Sequence, residues 1–197
     1  MKRLYIGIPL VVVLTLAFSR SSFVRFRNDG RLKTALMGDN QSLKGGLVAH
    51  WSFDEAKGSV IHDSSGNGHD GLIRNALWTS GKVNHALNFE KGGFVEIPDH
   101  PALRLLKDFT ITAWIKKTQA SKKGRSMGIV SKSSANAWDY DLFMSTSKLE
   151  HPALFSDAFR IPGGDIEVIS ATPVRLNEWH HITVTRNGSK SAIYLDG

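Results

Sequence analysis

Asp63, Ser65 and Asn67 place an oxygen-bearing side chain at every second position of the loop Asp63-Ser64-Ser65-Gly66-Asn67-Gly68-His69-Asp70-Gly71. That spacing can fold hard oxygen donors around Ca²⁺ while the glycines permit the sharp backbone turns. Asp54, just beyond a strand-like run, offers a further carboxylate from the neighbouring rim. The loop is not an EF-hand, because Arg74 stands where the bidentate glutamate would fall. The competing reading is a tight turn in which Asn and Asp side chains cap their own backbone. His62 and His69, each followed by an aspartate, carry transition-metal donor types, but on one glycine-rich loop they lack the rigid convergence such a site needs.

Other residues suit recognition. Lys117, Lys122, Lys123 and Arg125 cluster around the segment Thr118-Gln119-Ala120-Ser121, where charge-assisted contacts to a sulfated or carboxylated polysaccharide would weaken with salt. A solubilising surface loop has the same composition. Trp78 and Trp138 lie nearest to loops and are the candidates for stacking on a sugar ring, whereas Trp51, Trp114 and Trp179 fall in strand-like runs and read as core. No catalytic residue is assigned. Glycoside hydrolysis needs two facing carboxylates, and Asp165-Ile166-Glu167 and Asp139-Tyr140-Asp141 are pairs without a third acid and read as a solvated strand face. No nucleophile elbow or phosphate loop is present.

The elements that must position these residues are strands. In Phe109-Thr110-Ile111-Thr112-Ala113-Trp114-Ile115 the odd positions share an apolar face. Leu47, Ala49, Trp51 and Phe53 repeat the pattern, as do Tyr140, Leu142 and Met144, and His180, Ile182 and Val184. About ten such runs, closed by Gly, Asn, Asp or Ser, predict an all-β chain folded as a two-sheet antiparallel β-sandwich. Asn187-Gly188 predicts a tight hairpin joining the last two strands. With no cysteine, stability must come from packing rather than disulfides.

Lys2 and Arg3 precede a mostly apolar run from Leu4 to Phe18. Residues 1–19 therefore read as a signal peptide or a membrane-anchoring helix, short for a span of about 20 residues. Residues 20–46 read as a basic flexible linker that could brush acidic lipid or glycan. Residues 1–46 hold 8 Lys/Arg against 2 Asp/Glu, and residues 47–197 hold 17 against 16. The pI of 9.7 thus resides in the leader and linker, and a nearly neutral sandwich lacks the basic stripe of a nucleic-acid binder.

The ordered segments GLVAHWSFDE, HDSSGNGHDG, WTSGKVNHALNFE, GGFVEIP, FTITAWIK, IVSK and EWHHITVTRNGSKSAIYLDG resemble a laminin G-like jelly-roll domain of the concanavalin A-like lectin/glucanase superfamily. The resemblance covers Gly46 to Gly197, with the domain itself read as 47–197, and implies a jelly roll, a structural calcium, and a non-catalytic module of an exported protein. It implies export to the cell surface, periplasm or exterior, with a polysaccharide or cell-surface glycan or protein as partner and a possible membrane tether through the N-terminus. Similar domains carry further strands beyond the one corresponding to Ser191–Leu195, the last pairing with the first strand. The expectation is therefore a domain truncated at its C-terminus, its first strand left with an open edge, and a chain that is poorly soluble or oligomeric. The alternatives are a structural or adhesion module that binds protein and, third, the remnant of a glycan-active hydrolase. Laminarinase-like hydrolases on this fold carry Glu-x-Asp-x-x-Glu, which is incomplete here because Ser170 follows Glu167 by three.

Overall fold

The computed structural model describes residues 3–6, 10–17, 46–105, 108–120, 127–134, 137–144, 151–161, 164–188 and 190–197. These form two antiparallel sheets and two short 3-10 turns, with no α-helix among the described residues. In chain order the strands are β1 (Arg3–Ile6), β2 (Leu10–Ala17), β3 (Leu47–Trp51), β4 (Val60–Ile61), β5 (Gly71–Arg74), β6 (Leu77–Ser80), β7 (His85–Asn88) and β8 (Phe94–Ile97). They continue with β9 (Phe109–Lys117), β10 (Met127–Ser134), β11 (Ala137–Met144), β12 (Pro152–Ile161), β13 (Gly164–Ile169), β14 (Trp179–Asn187) and β15 (Lys190–Leu195). One sheet runs β13-β12-β11-β10-β1-β8-β5-β4, and the other runs β15-β14-β9-β2-β7-β6 with β3 paired to β2.

Alternation decides what lies between the sheets. Burial in β9 and in β14 switches at every residue, so Ile111, Ala113 and Ile115 join Ile182 and Val184 in the core. Trp51, Tyr140 and Leu142 join it from other strands and Phe89 from the turn after β7, all fully buried. The predicted hairpin forms: β14 and β15 pair from Ile182↔Leu195 to Asn187↔Lys190, and Gly188 takes the positive φ of 57° that the turn requires. Its amide donates to the Asp108 carboxylate at 2.7 Å.

The leader departs from expectation. Where an apolar helix is predicted, Arg3–Ile6 and Leu10–Ala17 run as strands. Leu10-Val11-Val12-Val13-Leu14-Thr15-Leu16-Ala17 is rich in β-branched residues and contains no glycine, proline or charge, which favours an extended backbone once a sheet edge offers partners. One edge of β2 pairs along β9 from Leu10↔Lys117 to Ala17↔Thr110. Its other edge is shared by β7, at Val11 and Val12, and by β3, from Leu14↔Trp51 to Ala17↔Leu47. The first strand of the 47–197 unit therefore has a partner, contrary to the open edge expected of it, and the sheets draw on residues upstream of that unit. Among the described residues no helix is long and apolar enough to cross a membrane.

Candidate functional site

The loop after β4 is built around Asp63, which is 9% exposed. Its Oδ1 accepts from the backbone N–H groups of His50 and Ser65, both at 2.9 Å, and its Oδ2 accepts from the His69 N–H at 3.0 Å. Burial alone would raise the Asp63 carboxyl, but the hydrogen bonds from His50, Ser65 and His69 hold it below the usual aspartate value. The Ser65 hydroxyl donates to Val48 O at 3.2 Å, and the Asn67 side-chain amide donates to Leu47 O and Val48 O, both at 2.9 Å. Gly66 and Gly68 make the two turns at φ 88° and 76°. All of these partners lie on β3 or within the loop, so the segment works as a clamp on the first core strand.

That arrangement does not fit a calcium ion. A carboxylate has about four acceptor sites, and three of those on Asp63 are directed at N–H donors. Ser65 and Asn67 turn donor groups toward β3, and Asp54 is exposed. Among the described residues no group of three His, Asp or Glu side chains converges. His62 pairs with the Asp70 carboxylate at 3.0 Å on the exposed side of the loop, and His69 is buried against the His100 ring at 4.7 Å.

The tryptophans redistribute. Trp51 is core as expected, its indole N–H donating to His69 O at 2.7 Å. Trp114 and Trp179 are only half-buried, because each has the opposite parity to the core residues of its strand. Trp114 stands on the outer face of the second sheet, with the His181 ring 5.0 Å away at 43° and the Lys82 ammonium 5.1 Å from its ring centroid. Burial holds His181 below the usual histidine value against the pull of Asp196, leaving its imidazole neutral at pH 7. Thr112 and Thr183 are paired in register beside this cluster. Trp78, expected at a loop, packs against the core on β6 and donates its N–H to Gly58 O at 3.0 Å. Trp138 falls in β11, but its side chain lies outside the described residues.

The fold and the match to a known family coincide. The profile of the laminin G-like family described as the concanavalin A-like lectin/glucanase superfamily matches residues 89–197, more than half of the chain. The chain belongs to this superfamily. Comparisons with curated proteins and with solved structures found no match. The match includes β9 and β14, which present the Trp114 face.

In this laminin G-like sandwich Lys117 does not lie on the surface. Lys117 is 0% exposed, sharing the inward parity of Ile111, Ala113 and Ile115, and so cannot serve a rim ligand. Lys122, Lys123 and Arg125 lie outside the described residues. Burial lowers the Lys117 ammonium from 10.5 to about 8. Between those values the unfolded chain binds more protons than the folded one, so stability rises with pH from about 8 to 10.5. Lys117→Met should flatten that rise, which melting temperatures measured in steps from pH 7 to 10 would show.

Among the described residues the acidic and histidine groups are engaged structurally. Burial raises the Asp141 carboxyl to about 6, and Asp141 lies opposite Ser131 on β10 and Phe155 on β12, with no acid beside it in register. Asp165 and Glu167 fall on β13, with side chains outside the described residues. His180 is 3% exposed and resembles part of a nucleophile-activating pair, with Asp196 Oδ2 2.7 Å from its Nδ1. Its Nε2 accepts from the Arg175 N–H at 3.1 Å, so Nδ1 carries the proton and both ring nitrogens are engaged. This pair fastens β14 to the segment after β15. It has no free base to offer.

Proposed function

We propose that the chain is an exported, non-catalytic recognition module that binds a polysaccharide or another cell-surface component through the outer face around Trp114. The observation that carries this reading is a half-exposed tryptophan at the centre of a sheet, flanked by a neutral imidazole and overlaid by an ammonium group. An indole presents a rigid apolar surface on which the C–H face of a sugar ring can stack. Lys82 beside it favours a carboxylated or sulfated sugar, and the neighbouring threonines offer hydroxyl partners. Lys2 and Arg3 ahead of the apolar run support export.

Affinity electrophoresis against acidic and neutral polysaccharides tests the assignment. Retention by an acidic glycan should fall about tenfold or more in Trp114→Ala, since stacking of this kind contributes on the order of 1–3 kcal/mol in comparable ring contacts. Lys82→Gln should remove most of the salt sensitivity. Unchanged retention in both variants would sink the proposed face. Binding to cells that soluble glycan does not compete would point to a protein partner instead.

A further inference from the structure

Asparagine followed by glycine occurs twice in the chain, at Asn67-Gly68 and Asn187-Gly188. In this dipeptide an asparagine modifies itself most readily, because glycine has no side chain to keep its backbone nitrogen away from the neighbouring amide carbon. The fold treats the two pairs differently. The Asn67 side-chain amide is spent on Leu47 O and Val48 O, both at 2.9 Å, and on Ser65 Oγ at 3.2 Å. The Asn187 side chain is exposed at the end of β14, and among the described residues nothing hydrogen-bonds to it.

What restrains Asn187 is its neighbour. The Gly188 N–H donates to the Asp108 carboxylate at 2.7 Å, across 80 residues of sequence, and Asn187 pairs with Lys190 across the turn. Self-modification needs that same Gly188 nitrogen to lose its proton and attack the side-chain carbon of Asn187. Two features oppose it. A carboxylate in hydrogen-bond contact disfavours a second negative charge on the nitrogen. Ring closure also turns the Asn187 backbone out of the extended form that holds the Lys190 pair.

We propose that Asn187 is a slow self-modification site whose rate is set by Asp108. The Gly188 nitrogen forms a bond to Asn187 Cγ, and the bond from Cγ to the side-chain nitrogen breaks. That nitrogen leaves as ammonia, taking up the proton given up by Gly188. Water then opens the five-membered imide on either side, giving aspartate or its isoaspartyl isomer without an oxidant or cofactor. Either product sets a new carboxylate near Asp108, and isoaspartate adds a methylene to the backbone of β14, which shifts the Asn187↔Lys190 register. The modified hairpin loosens from its tip toward the outward Thr185 and Thr183.

The full-length chain, kept at neutral pH and sampled over weeks, is digested, and the peptides bearing residues 187 and 67 are separated into asparagine, aspartate and isoaspartate forms. Asp108→Ala should convert Asn187 about fivefold faster than the parent or more, as expected for a lost charge-assisted hydrogen bond. Conversion at Asn67 should stay at the parent's rate. Asp108→Asn keeps an acceptor oxygen without the charge and should lie between the two. Equal rates at Asn187 in the parent and Asp108→Ala would overturn the proposal. So would slower conversion in Asp108→Ala, which would make the carboxylate the base that draws off the proton. Acceleration of both asparagines together in Asp108→Ala signals general opening of the chain. Asp108→Asn then decides, and a parent-like rate at Asn187 in that variant overturns the proposal.

Discussion

Asp63→Ala should lose about 3–5 kcal/mol of stability and lower the melting temperature by roughly 8–16 °C. The substitution strips acceptors from three backbone N–H groups, those of His50, Ser65 and His69. Each donor left without a partner costs about 1–3 kcal/mol where water cannot reach it. The damage reaches the core, because the carbonyl of His69 receives the indole N–H of fully buried Trp51. Asp63→Asn keeps one carbonyl oxygen and should lose roughly half as much. The acid limb gives a second signature. A carboxyl held below 3.8 in the folded state stabilises above that pH and loses its contribution as pH falls toward the folded value. Denaturation below about pH 4 should therefore be less steep in Asp63→Ala, and both parent and variant should melt alike with calcium or with EDTA. A calcium-dependent rise confined to the parent would show instead that the loop rearranges around an ion.

Removal of the Asp99 carboxylate should be as severe for a different reason. Lys132 is 0% exposed, and its Nζ lies 2.6 Å from Asp99 Oδ1, while Arg104 holds Oδ2 at 2.9 Å. Loss of one partner of a buried ion pair leaves the other without compensation, typically at about 3–5 kcal/mol. Asp99→Ala should fall in that range by urea denaturation. Lys132→Met, which removes the buried cation and keeps the apolar stem, should stay within about 1 kcal/mol of the parent. Combining the two should recover most of the loss. Additive single effects would mean that Asp99 acts through Arg104 and the loop rather than through Lys132.

Much of the sandwich is written locally. The alternation in Phe109–Ile115 identifies the core face of β9, and Asn187-Gly188 identifies the β14–β15 hairpin, because both depend on neighbours within a few residues. The same alternation places Lys117 inward and Trp114 outward. Side-chain type suggests the reverse for each, and parity prevails because a strand cannot turn one residue without turning the rest. The oxygen spacing around Asp63 is legible as well, but its use is not. The donors on His50 lie 13 residues away, and only the folded chain brings them to the carboxylate. The Lys132–Asp99 pair, 33 residues apart, leaves no local trace. The leader is the largest departure, since an apolar segment uniform on both sides reads as a membrane helix until distant strands provide an edge for it.

The pairing of the leader also sets a clock. β2 meets β9 at Leu10↔Lys117, and β1 meets β10 at Arg3↔Ser133. These leader strands therefore wait for partners made about a hundred residues later, an interval of roughly 5–20 s at ordinary synthesis rates. Within that interval β3 and then β7 emerge and offer partners to one edge of β2, while the edge that meets β9 stays open until the end. The closure of β2 within the second sheet is thus paced by translation, and slowing elongation between residues 88 and 117 should lengthen the time for which that edge of β2 stays open.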